Sequence, residues 1–152
     1  MIIVSKKDIE KFLESRKLAV AGVSRNPKKF GYMVFRDLKK NGYDVYPVNP
    51  RATDIDGGKC FATVTDLPAD VRHLLILTPK KDTDAVLREA INKGITNIWV
   101  QQMSETAETI KIAEEFNVEL IYKKCIYMFA EPVSGLHKFH RTLVKIFGKL
   151  PK

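Results

Sequence analysis

Apolar positions along the chain change period repeatedly, from helical spacing to short unbroken runs and back. Ile9, Phe12 and Leu13 share one helical face, and Ser5 with Asp8 three residues on forms a near capping box at its start. Residues 18–23 are a short apolar run ending at Gly22 and Ser24, which predicts a buried strand followed by a loop from 24 to 30. Residues 31–40 predict a helix that turns Val34, Phe35 and Leu38 inward, with Gly42 placed for a left-handed C-terminal cap. Residues 43–48 predict a second strand. Pro47 belongs at its end, because proline removes a ladder hydrogen bond. Residues 49–65 read as a loop rich in Pro, Gly, Asp and Thr, with a short helix or turn near Leu67.

The alternation then resumes. Residues 72–78 predict a third strand. A helix starting at Asp82 or Thr83 carries Val86, Leu87, Ala90 and Ile91 and closes at Gly94. Residues 97–101 predict a fourth strand, Ser104 the cap of a helix bearing Ala107, Ile110, Ala113 and Phe116, and residues 118–122 a fifth strand. Five short apolar strands separated mainly by amphipathic helices imply a parallel sheet covered on both faces. The expected fold class is α/β: a Rossmann-like, doubly wound, five-stranded parallel sheet. After an irregular stretch, Ser134 caps an extra C-terminal helix with Leu136, Phe139, Leu143, Ile146 and Phe147 on one face. Residues 1–125 are therefore read as the domain. Residues 126–152 are read as a basic amphipathic extension packed on it, on a second copy or on a protein partner.

Composition narrows this picture. With 152 residues, 45% hydrophobic and 29% charged, the chain suits one globular domain and is too apolar for disorder. No apolar run approaches the ~18 residues of a membrane span. Lys6, Lys7 and Asp8 stand where a secretory leader would be basic and then apolar, so a cytoplasmic protein is expected. The net charge is +8, and its distribution is uneven. Residues 123–152 hold seven basic residues against Glu131 alone, which leaves the tail at +6 and the rest at +2. Such a tail attracts polyanions, but RNP-type aromatic motifs and zinc-finger spacing are absent, so no nucleic-acid partner is expected. Cys60 and Cys125 are in no CxxC and are expected to be reduced. His137 and His140 share a helical face at a metal-competent spacing, yet no third ligand accompanies them and no metal is expected.

Ligands of open parallel sheets bind beyond the carboxyl ends of the strands. Four segments lie there: 22–31, 48–51, 78–81 and 101–104. In the first, Gly22 and Gly31 let backbone approach a phosphate, a helix N-terminus supplies free N–H groups, and Arg25, Lys28 and Lys29 add charge. Its spacing is neither GxGxxG nor a P-loop. The second segment has no carboxylate at its tip to hold an NAD ribose. Arg51 there suits a ribose phosphate, the 2′ of NADP or the 3′ of coenzyme A. In the third, Pro79 offers a flat apolar wall to an adenine or a pantetheine arm.

The stretch Gly22-Val23-Ser24-Arg25-Asn26-Pro27 through Gly31-Tyr32 resembles the small stand-alone CoA-binding proteins. So do Val45-Tyr46-Pro47-Val48-Asn49-Pro50, residues 57–61, Leu67-Pro68 and Trp99-Val100-Gln101. The domain of those proteins is similar to the N-terminal CoA-binding domain of the succinyl-CoA ligase alpha subunit, and the likeness covers about residues 17–125. It implies a coenzyme A or acyl-CoA ligand. Gly22, Val23, Ser24, Arg25, Asn26, Lys29, Gly31 and Tyr32 would face the pyrophosphate. Asn49, Pro50 and Arg51 would lie near the adenosine and its 3′-phosphate, and Thr78 and Pro79 beside the adenine or pantetheine. One departure stands out: many relatives have Ser before the Tyr, where this chain has Gly31. The resemblance also implies binding without turnover, since the ligases use a histidine in a second domain that a chain of this length is not expected to contain. Cys125, just past the fifth strand, lies on the ligand side: the favoured reading is an inert buried cysteine, and the alternative is a thiol that meets the CoA thiol and forms a mixed disulfide. The competing reading is an NADP-dependent oxidoreductase or redox sensor on the same fold.

Overall fold

The computed structural model describes residues 5–129. Helix α1 (Lys6–Glu14) is followed by strand β1 (Lys17–Ala21), helix α2 (Phe30–Lys40) and strand β2 (Asp44–Val48). A small hairpin of β3 (Asp54–Ile55) and β4 (Gly58–Lys59) precedes strand β5 (His73–Ile76). Helix α3 (Lys80–Lys93), strand β6 (Asn97–Gln101), helix α4 (Ala107–Glu115) and strand β7 (Leu120–Lys124) follow. Strands β2, β1, β5, β6 and β7 form one parallel sheet in that spatial order. The chain leaves β1 for β2 on one side and returns to β5 on the other, so the β1–β5 boundary is the switch point of a Rossmann-like, doubly wound α/β fold.

Both faces of the sheet are covered, which is why its strands read as unbroken apolar runs. Leu18 and Val20 of β1 join a layer with Phe12 of α1 and Phe35 of α2. Ala19 and Ala21 join the opposite layer with Leu87 of α3 and Ile112 of α4. Trp99, at the centre of β6, is fully buried, and its indole N–H donates to the Lys124 carbonyl at 3.1 Å. Ser5 and Asp8 make the expected capping box on α1. Gly42 and Gly94 hold the left-handed conformation that ends α2 and α3.

Several boundaries differ from the sequence reading. β1 stops at Ala21 because Gly22 turns to φ +94°. Pro47 lies within β2, not at its end. Its carbonyl points outward from the sheet edge and accepts from Phe61 N–H at 2.9 Å, so no bond to β1 is lost. The loop after β2 contains the β3–β4 hairpin, turned by Asp56 and Gly57 at positive φ, and a 3₁₀ turn at Val64–Asp66. α3 starts at Lys80, directly after Pro79. α4 is capped by Thr106, not Ser104. β7 begins two residues late because Asn117, at φ +54°, closes α4 and the Val118 N–H bonds back to Ala113. Ile126, Tyr127 and Met128 form a buried 3₁₀ turn after β7. The predicted C-terminal helix, with Ser134, His137 and His140, lies outside the described residues. Among the described residues no helix is long and apolar enough to cross a membrane.

Candidate functional site

All five strands of the sheet are parallel, so the loops after β1, β2, β5 and β6 rise from one edge. The glycines of the first loop set how tightly that edge is built. A Cβ on Gly22 would lie 2.8 Å from the Leu77 carbonyl carbon and 2.9 Å from Thr78 N, so the loop after β1 rests on the end of β5. A Cβ on Gly31 would lie 2.2 Å from the Gly22 carbonyl oxygen. The first turn of α2 therefore sits directly on the strand end, and a serine has no room there.

The polar residues of the first two loops hold the backbone in shape. Ser24 Oγ accepts from Asn26 N–H at 3.0 Å, and Asn26 Oδ1 accepts from Lys28 N–H at 3.0 Å. Asn49 bridges the loops: its side-chain amide donates to the Val23 carbonyl at 2.8 Å while its Oδ1 accepts from Arg51 N–H at 2.8 Å. Val23 is fully buried, so its own contribution to the edge is backbone. Thr78 is also buried, its hydroxyl 2.8 Å from that of Thr83. Pro50, Arg51 and Pro79 are exposed. Tyr32 lies in the first turn of α2, and its hydroxyl donates to Asp56 Oδ2 at 2.8 Å. That bond to a carboxylate pushes the phenol pKa up. It also ties the β3–β4 hairpin to the helix start, a contact the sequence reading missed; the Asp-Gly pair at 56–57 is the hairpin signal that was available.

The electrostatics of the edge follow from its helix ends. α1 and α4 each begin with a side-chain capping box. α2 and α3, which follow β1 and β5 on either side of the switch point, have no side-chain cap. No side chain closes their first N–H groups, which carry the positive end of the helix dipole; in α3 the Asp82 N–H turns back to the Pro79 carbonyl at 2.9 Å, and the Asp82 carboxylate stands in the first turn. Around them Arg25, Lys28, Lys29, Arg51, Lys80 and Lys81 are all exposed, and none is in an ion pair among the described residues. The edge thus combines free backbone donors with six formal charges, the chemistry of an anion cradle. Farther along, Asp84 of α3 accepts both hydroxyls of the α4 box, Thr106 at 2.9 Å and Thr109 at 2.6 Å, and fixes the two helix starts side by side.

Titratable nucleophiles are poorly placed at this edge. Cys125 follows β7, but it is 2% exposed and burial pushes its thiol pKa up. A buried thiol with a raised pKa is a weak partner for disulfide exchange, which weighs toward the inert cysteine and against the mixed disulfide. Cys60 is likewise buried and raised. His73 opens β5, at the opposite end of the sheet, and its pKa is lowered by burial and by Arg72. At that far end a cavity of about 590 Å³ lies between α1, α4 and the starts of β6 and β7, away from the four loops.

The doubly wound sheet with its cation-lined strand edge is the frame of a small α/β domain of the Rossmann-like class. A family model described as a CoA binding domain matches residues 16–131, and the chain belongs to that family. It is 33% identical over 147 residues to the alpha subunit of ADP-forming acetate–CoA ligase II from Pyrococcus furiosus, an alignment covering 95% of this chain and 32% of that subunit. The chain spans a third or less of the length of this and the next two ligase relatives, at 32%, 22% and 19%. Among solved structures, a conserved hypothetical protein from Pyrococcus furiosus superposes with a TM-score of 0.71 at 37% identity, covering 73% of this chain and 96% of that one. A hypothetical protein from Pyrococcus horikoshii OT3 superposes with a TM-score of 0.74 at 29% identity, covering 82% and 87%.

Proposed function

We propose that this chain binds coenzyme A or an acyl-CoA across the strand ends and does not itself turn it over. The observation that carries the reading is the pair of uncapped helix starts, α2 and α3, flanking the switch point among six unpaired cations. Coenzyme A brings a pyrophosphate and a 3′-phosphate to such an edge. In this reading the pyrophosphate lies on the start of α2, beside Gly22, Arg25 and Lys29. Arg51 holds the 3′-phosphate, and the pantetheine arm passes Thr78 and Pro79 toward β6. Ser24, Asn26 and Asn49 act by shaping the loops. Membership of the CoA binding domain family supports the same ligand.

The test is a thermal-shift series with CoA, acetyl-CoA, dephospho-CoA, NAD and NADP at one salt concentration. A ligand at 100 times its Kd stabilises the fold by roughly 2.7 kcal/mol, a clear rise in Tm. The expected result is a rise with CoA that shrinks for dephospho-CoA. A rise with NADP alone overturns the CoA reading in favour of a nicotinamide cofactor. No rise with any nucleotide overturns both.

A further inference from the structure

The turn between β6 and α4 holds a side chain that the fold does not need. Ser104 N–H donates to the Gln101 carbonyl at 2.9 Å, closing a four-residue turn in which Met103 has φ +77°. Turns of this kind normally place glycine at that position, because a side chain there is strained. Met103 is also 66% exposed and belongs to neither core layer. It therefore bears a conformational cost and a hydration cost together, and a glycine would remove both. The turn cannot relax the strain by shifting. Gln102 N–H is bonded to the Lys124 carbonyl at 3.0 Å, and the buried Gln101 accepts from Ile126 N–H at 3.0 Å. The methionine is held out rigidly at the ligand edge.

Two further features of that edge give the side chain a use. The exposed cations cluster on the loops after β1, β2 and β5, whereas the turn from 101 to 104 contains no charged residue. β6 lies two strands from β1, about 10 Å at the usual spacing, within reach of an extended pantetheine arm.

We infer that Met103 receives the acyl group of the bound thioester, so that the site selects acyl-CoAs with uncharged, apolar acyl groups over both free CoA and carboxylated acyl-CoAs. This rests on the CoA reading above. Methionine is unbranched and polarisable and adapts to short aliphatic chains, and an apolar contact gives a second carboxylate no polar partner.

The test is calorimetric titration of the full chain with CoA, butyryl-CoA and succinyl-CoA, repeated for Met103→Gly and Met103→Leu. In the wild type, butyryl-CoA is expected to bind about tenfold more tightly than CoA, the effect of burying a few methylene groups. Succinyl-CoA should gain nothing over CoA. Met103→Gly should melt higher and bring the butyryl-to-CoA ratio near one. Met103→Leu should keep the preference. Equal wild-type affinity for CoA and butyryl-CoA, or a preference intact in Met103→Gly, overturns this inference while CoA binding stands. Absence of CoA binding in the wild type overturns the function proposed above, and this inference with it.

Discussion

Gly31 faces the carbonyl oxygen of Gly22 so closely that a single added methyl would lie 2.2 Å from it. Both partners are backbone, one at a strand end and one in a helix, so neither can step aside cheaply. Gly31→Ala is expected to destabilise the protein by about 1–3 kcal/mol or more, the usual cost of overpacking. Gly31→Ser should do no better. Chemical denaturation of both variants checks this; a wild-type midpoint in either would show that the helix start can lift off the strand.

Arg51 is exposed and unpaired at the end of β2. If it holds the 3′-phosphate, Arg51→Ala should weaken CoA binding about tenfold, the order of one charge-assisted bond, and leave dephospho-CoA unaffected. Titration of both ligands against both proteins gives the comparison. An equal loss for the two ligands would move Arg51 away from that phosphate.

Cys125 is sealed between Gln101 and the turn after β7. Incubation of the native protein with CoA disulfide should give no mixed disulfide on Cys125 by mass spectrometry, and thiol reagents should reach it only after unfolding.

Asp84 accepts two hydroxyls from the start of α4, at 2.6 and 2.9 Å. Asp84→Ala should cost about 1–3 kcal/mol, because it removes the carboxylate that accepts from the buried Thr109 and the half-buried Thr106. Thr106→Ala removes the cap itself and should cost about 1 kcal/mol. The double variant should lose less than the sum, since both changes break one network.

Alkaline pH should expose another linkage. Tyr127 is buried, its hydroxyl donates to Asp37 Oδ2 at 2.6 Å, and both effects push its pKa far above the usual phenol range. Tyr32, Tyr43 and Tyr46 are raised as well. A raised folded-state pKa gives stability that is complete below the unfolded value near 10 and declines as pH rises above it. The Tm should therefore fall steeply above about pH 10, and Tyr127→Phe should flatten that fall. A variant with the wild-type slope would assign the alkaline loss to other groups.

Much of this architecture was legible in the residues because its determinants are local. The Ser5–Asp8 box, Gly94 and the apolar runs of β1 and β6 each announce themselves within a few positions. Failures came where the deciding partner is distant. Thr106 outranks Ser104 as a cap because Thr109 completes its box and Asp84, 22 residues earlier, holds it. The β3–β4 hairpin escaped because two-residue strands show no alternation. At the carboxyl edge of the sheet the loops themselves could be named from topology alone. The role of Asn49 could not, since its bond to the Val23 carbonyl spans 26 positions. The strained methionine at 103 was equally hidden, because a positive φ has no signature in a methionine.

The outward carbonyl of Pro47 has a consequence for the protein in a crowded solution. β2 is an outer strand, and such strands recruit other chains through their free N–H and C=O groups. Here proline offers no donor, and Phe61 takes up the Pro47 carbonyl and, through its own, the Asn49 N–H, both at 2.9 Å. Near the ligand edge, therefore, β2 offers no free template to an incoming strand. Pro47 and Phe61 together act as a barrier to sheet-to-sheet aggregation while leaving the loop above them free to meet a ligand.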